Sequence, residues 1–265
     1  MSNIFNFKRF GTYFINDLRN AKNQWGLSFL ICCLMPAIVF FLVEVASLVR
    51  GEGFAEDLHE VGIVGIVAAF FVTMITSPSK IYGHLTDKKA GTDYILMPVS
   101  VCEKTLSMII VSALVIPVAL AVMLLGVDAV MGLIFPSYYG APIISEFRLP
   151  VLFGAEEIVD GVSVNFIMLY ITYCVTAVLP FLLGAIVFKK SKAAKTILVL
   201  MGISVISTIV GLPFIEKLND IEKFFMDMTP SEVVTGINNY LTIVYSVYFV
   251  LLTGLIFLRL KTIKH

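Results

Sequence analysis

The chain has 265 residues, 58% of them hydrophobic and only 14% charged, with 19 Lys and Arg balanced by 19 Asp and Glu. Soluble domains average roughly 45–50% apolar and roughly 25% charged, so this composition, with a mean hydropathy of +0.94, excludes an ordinary soluble protein. Zero net charge leaves no overall field to attract nucleic acid, and none is expected as a partner; membrane lipid is.

Taken in chain order, residues 1–25 come first. Phe7, Phe10, Phe14, Leu18, Ala21 and Trp25 recur at helical spacing, which at about 100° per residue gathers them on one face. Arg9, Asn16, Arg19, Asn20 and Asn23 fall opposite. The pattern predicts an amphipathic helix lying in the membrane interface, aromatics toward the acyl boundary.

Crossing about 30 Å of hydrocarbon takes about 20 apolar residues of helix. Six runs qualify: Leu27–Val49, Val61–Ser77, Leu106–Val127, Asn165–Phe188, Thr196–Leu212 and Tyr240–Leu258. The fold class expected is therefore an all-α polytopic membrane protein, a single domain over residues 1–265 with six transmembrane helices after the interfacial one. Pro36, Pro117 and Pro180 each interrupt a run and predict kinks.

Orientation follows from the basic residues, which cytoplasmic loops retain. Fifteen of the nineteen fall on one side, in the segments around Lys8 to Lys22, Lys80 to Lys104, Lys189 to Lys195 and Arg259 to Lys264; only Arg50, Arg148, Lys217 and Lys223 fall on the other. The acids run the opposite way, from Glu52, Glu56, Asp57 and Glu60 to Asp227 and Glu232. Both termini are expected in the cytoplasm, as an even number of spans requires, in a multi-pass protein of the inner cell membrane.

Catalytic constellations are scarce. His59, His84 and His265 lie outside the runs, and neither H-E-x-x-H, nor G-x-S-x-G, nor G-x-x-x-x-G-K-[ST] occurs. Cys32, Cys33, Cys102 and Cys174 form no C-x-x-C pair and read as apolar packing residues. No metal, cofactor or enzyme activity is expected on this chain. Glu44 in the first run and Asp128 just past the third are the candidate substrate-path residues, because an ionisable group at membrane depth is a functional candidate by default. Snorkelling or interhelical hydrogen bonding is the competing reading for both.

The segment 78–104, PSKIYGHLTDKKAGTDYILMPVSVCEK, carries the most pattern. Thr92 can cap a short helix with Asp93 in its first turn, Tyr94, Ile95, Leu96 and Met97 give it apolar bulk, and Pro98 ends it. Ser100 and Glu103 have the S-x-x-E spacing of a capping box at the head of the third run. A short helix with four apolar residues between charged flanks seeks a partner surface or packs back on its own bundle.

The order Asp87, Lys88, Lys89, Gly91, Thr92, Asp93, Leu96, Pro98, Val99, Ser100 and Lys104 resembles the loop after the second span in the type-two, exporter-type permeases of ABC transporters. The six runs, the interfacial helix and the outer segment 213–239 agree with that resemblance, and Asp87-Lys88-Lys89 departs from it where the family often has Glu and Arg. The resemblance implies a coupling helix within Gly83–Val99 that docks on a separate ABC ATPase subunit. It implies ATPase-coupling roles for Tyr82, His84, Leu85, Asp87, Lys88, Gly91, Thr92, Asp93, Tyr94, Leu96 and Met97. It also implies a second permease subunit, identical or similar, and ATP hydrolysis on the partner. A non-transporting polytopic scaffold or sensor is the alternative, and the cargo is not legible in the residues.

Overall fold

Asn6 sets the first helix. Its side chain accepts from the N–H groups of Lys8 (3.0 Å) and Arg9 (3.3 Å), satisfying two donors that a helix start leaves free, and α1 then runs Phe7–Cys33. Pro36 lacks an N–H and its ring crowds the carbonyl four residues back, so α1 stops. α2 (Met35–Arg50) restarts with Pro36 in its first turn, where the missing N–H costs nothing. The two axes differ by 43°. The expected run Leu27–Val49 is thus a broken span, and Pro36 is the cause. α2 closes on Gly51, whose φ of 76° lets its N–H fold back onto the Leu48 carbonyl.

The computed structural model describes residues 5–51, 54, 59–86, 91, 94, 96–146, 166–215 and 230–263, and among these no strand occurs. Among the described residues five helices are long and apolar enough to cross a membrane, or six when the bent α1–α2 pair is one span. The chain is an all-α, multi-pass membrane protein. It divides into two compact units, Met1–Phe147 with Lys264–His265, and Arg148–Ile263.

In the first unit α3 (His59–Ile81) packs on both α1 and α2. It continues through Pro78, with the Tyr82 N–H reaching the Pro78 carbonyl at 3.0 Å, so the connecting segment starts at Tyr82 and not at Pro78. α4 (Val101–Ile134) is 34 residues long, about 50 Å at about 1.5 Å per residue, so its ends project beyond about 30 Å of hydrocarbon. Asp128, expected beyond the third span, lies inside this helix. Phe40 of α2, Met131 of α4 and Tyr139 of the following turn form a buried cluster. α2 and α3 pack backbone to backbone at Gly65, where a Cβ would stand 2.7 Å from the Pro36 Cα.

In the second unit α5 (residues 166–187) packs on α6 (Lys192–Ile215) and on α7 (Pro230–Thr262). Leu179, Leu182, Ala185 and Ile186 of α5 and Ile256 of α7 are buried. Gly184 admits Thr196 of α6, whose hydroxyl a Cβ at position 184 would strike. Arg259 Nε donates to the Ile186 carbonyl at 3.3 Å, capping the end of α5. Of the expected outer segment 213–239, residues 213–215 end α6 and 230–239 begin α7, while 216–229 lie outside the described residues.

Pro117 and Pro180 do not bend their helices simply. Each follows a five-residue π turn, Val111–Val115 and Cys174–Val178. There the Ile116 N–H reaches Val111 O, and the Leu179 N–H reaches Cys174 O. Widening the helix by one residue carries the carbonyls that a proline would crowd out of the way.

Candidate functional site

The segment joining α3 to α4 is bound to the first unit by three sets of contacts. At the head of α4, Ser100 and Glu103 form the expected capping box: the Glu103 N–H donates to Ser100 Oγ at 3.3 Å, and the Ser100 N–H donates to Glu103 Oε2 at 2.9 Å. The same carboxylate, 0% exposed, reaches α1. It accepts from the Asn6 N–H at 2.8 Å and, in a two-pronged pair, from Arg9 Nε at 2.9 Å and the second Arg9 nitrogen at 2.7 Å. A planar guanidinium matches a carboxylate in this way, so Glu103 ties the start of α1 to the start of α4.

One turn deeper, the Asp17 carboxylate of α1 accepts from Tyr82 Oη at 3.0 Å and from Ser107 Oγ of α4 at 2.6 Å. Asp17 is 7% exposed. Burial raises its pKa above the ordinary carboxylate value, against the Ser107 and Tyr82 hydrogen bonds and the field of His84, which lower it. Tyr82 is pushed well above the phenol range by burial first and by Asp17 second. Asp17 belongs to a stripe of α1, Tyr13, Asp17, Ala21 and Trp25, that is buried at intervals of four. The Gln24 amide of the same helix lies 2.9 Å from the carbonyls of Lys80 and Ile81, and with its NH2 group assigned to that side, the orientation these two acceptors require, it donates to both at the end of α3.

The third set holds the middle of the segment. Residues 83–86 make a 3-10 turn (Gly83–Thr86) with Leu85 buried. Gly91, Tyr94 and Leu96 are helical and Met97 to Val99 bend away before Ser100. Lys104 Nζ donates to the Tyr94 carbonyl at 2.6 Å and stands 4.5 Å from the Tyr94 ring centroid, a cation–π contact. Tyr94 Oη donates to Met108 Sδ at 3.5 Å, and burial raises the Tyr94 phenol above its ordinary range.

The expected coupling residues therefore separate. Tyr82, Leu85, Gly91 and Tyr94 face the bundle, Met97 is half-buried, and Leu96 stays 69% exposed. The apolar bulk read as one contact surface is in part the segment's own anchor. Asp87, Lys88, Thr92 and Asp93 lie outside the described residues. Tyr13, Asp17, Ser107 and the cross-bundle partners of Glu103 were not singled out in the sequence. The signal that could have found the first two is the four-residue stripe of α1, which takes in Ala21 and Trp25; these two, expected on the face toward the acyl boundary, are buried in the bundle.

Near the opposite end of α4, Asp128 is 0% exposed. Its Oδ1 accepts from Tyr139 Oη and its Oδ2 from the Ile143 N–H, both at 2.7 Å. The carboxylate thereby pins the turns Pro136–Tyr139 and Ile143–Glu146 to α4. Gly62 of α3 makes room for the Tyr139 hydroxyl. Glu44 is buried on α2, one turn from Phe40 on the same face. Among the described residues no group of His, Cys, Asp and Glu could hold a metal ion. Compared with protein-family models, with curated proteins and with solved structures, the chain gives no match.

Proposed function

We propose that the chain is the transmembrane permease subunit of an ATP-driven ABC transporter, an exporter, that couples to a separate ATPase subunit through the segment between α3 and α4. In this reading it sits in the inner cell membrane with both termini in the cytoplasm, the orientation that the Lys and Arg bias favours. It works with a second copy or a similar permease, and hydrolysis belongs to the partner.

One observation carries the reading. Leu96 is an exposed apolar residue on a segment whose neighbours are locked to α1, α3 and α4 through Asp17, Tyr82, Tyr94, Glu103 and Lys104. A soluble subunit that grips Leu96 and moves would transmit that motion to three helices at once. ATP binding at the partner would then bias one packing of the bundle over another.

Leu96→Asp tests this in proteoliposomes holding the permease and its ATPase. It should abolish transport and uncouple hydrolysis while leaving the protein inserted. Unchanged coupling would refute the reading and favour a scaffold or sensor without transport.

A further inference from the structure

A cavity of about 170 Å³ lies between α1 and the segment that follows α3. Its walls are Tyr13, Asp17 and Asn20 of α1, Tyr82 and His84 of the turn, and Tyr94; Ile81 and Met97 complete them. A cavity of about 150 Å³ accommodates benzene, so this one has room for a ligand of about six heavy atoms.

The walls define the chemistry of that ligand. Among the described lining residues Asp17 is the one acid and His84 the one base, with no Lys or Arg beside them, so an anion would meet a buried carboxylate offset by a single imidazole. Among the described lining residues a divalent metal would find a single carboxylate and one imidazole, fewer ligands than such ions require. The Tyr82 and Ser107 hydroxyls both donate to the same Asp17 oxygen, Oδ2. A buried carboxylate favours a cation beside it, and Tyr13, Tyr82 and Tyr94 line the same cavity with rings of the kind whose faces attract cations. One of them, Tyr94, already holds the Lys104 ammonium against its ring.

We propose that this cavity binds a small organic ammonium group, primary or quaternary, with Asp17 as counterion and Tyr13, Tyr82 and Tyr94 as its aromatic walls. The group belongs either to a lipid headgroup or to a free amine. His84 is the titratable base among the lining residues, and in its charged form it opposes binding.

The test uses the full chain in nanodiscs of phosphatidylglycerol, which carries no amine, with radiolabelled tetramethylammonium and ethanolamine in equilibrium dialysis at constant ionic strength. Saturable binding of one equivalent is expected. Asp17→Asn should weaken it at least about tenfold, and Met97→Trp, which fills the cavity from the connecting segment, should abolish it. No saturable binding by the native chain would overturn the proposal, as would equal binding by both variants. If Asp17→Asn does not fold, Met97→Trp alone decides, and unchanged binding then overturns the proposal. Repeating the titration in discs containing phosphatidylethanolamine identifies the source: loss of probe binding assigns the site to the lipid amine, and retention assigns it to a free one.

Discussion

Replacing Tyr139 by Phe removes one hydroxyl and leaves the ring in place. The bond lost is a 2.7 Å donation to Asp128, and both residues are 0% exposed, so water cannot substitute for it. Hydrogen bonds to charged groups contribute about 1.5–3 kcal/mol, while polar bonds between membrane helices average only about 0.6 kcal/mol because the unfolded chain in lipid also finds partners. Full burial and a carboxylate acceptor place this bond above that average. We expect Tyr139→Phe to cost about 1.5–2 kcal/mol, a ten- to thirtyfold rise in the unfolding constant, with one turn pulled loose from α4. Asp128→Ala should cost more, because the Tyr139 hydroxyl and the Ile143 N–H both lose their acceptor. The double variant should cost less than the sum, with a coupling of about 1 kcal/mol. Reversible unfolding in mixed micelles, followed by helical circular dichroism, measures all three. Additivity to within about 0.3 kcal/mol would refute the pinning role and return Asp128 to the substrate-path reading.

Other outcomes follow from the same geometry. Gly65→Ala would drive a methyl group into the Pro36 backbone and should lower stability by about 1–3 kcal/mol. Gly126→Ala has nothing within 4 Å and should be neutral or stabilising by up to about 1 kcal/mol; thermal midpoints in one detergent compare them, and equal effects would count against the close approach of α2 and α3. Gly184→Ala should destabilise the second unit through Thr196, and adding Thr196→Ala should recover part of that loss in the same melting assay. Asp17 carries a pKa raised above 3.8 in the folded protein. The folded state therefore binds that proton more tightly than the unfolded one, and the associated stability is present below the ordinary value and lost as pH rises through the folded one. The thermal midpoint of the native chain should consequently gain more between pH 7 and about pH 4 than that of Asp17→Asn; parallel pH profiles would contradict the burial of this acid.

The α-helical architecture was legible because hydrophobic run length is a strong signal, and the Ser100–Glu103 box because its residues are three apart. Prolines marked the breaks, yet spacing alone does not tell a bend from a π turn. Pro36 follows a true interruption at Leu34, whereas Pro117 and Pro180 sit in helices that absorb them by widening. Helices extend past the ends of the apolar runs where further residues continue them, as Asp128 does in α4 and the segment from Pro230 does in α7. The site escaped for a different reason. Arg9 meets Glu103 across 94 positions and Asp17 meets Ser107 across 90, and no local pattern records pairings of that range. Asp17 also sits beside an aromatic face that accounts for α1 by itself, so a buried acid there has no signature apart from the four-residue stripe. Tyr94 and Leu96, two residues apart in one apolar stretch, have opposite surroundings that composition does not distinguish.

That contrast supplies the most direct test of the proposed coupling. A photocrosslinker at Leu96, activated in native membranes, should capture a soluble protein bearing a nucleotide-binding P-loop, while the same group at Tyr94 should capture residues of this chain. Capture of this chain alone from position 96, with the crosslinker shown to be active, would contradict the docking of an ATPase on this segment.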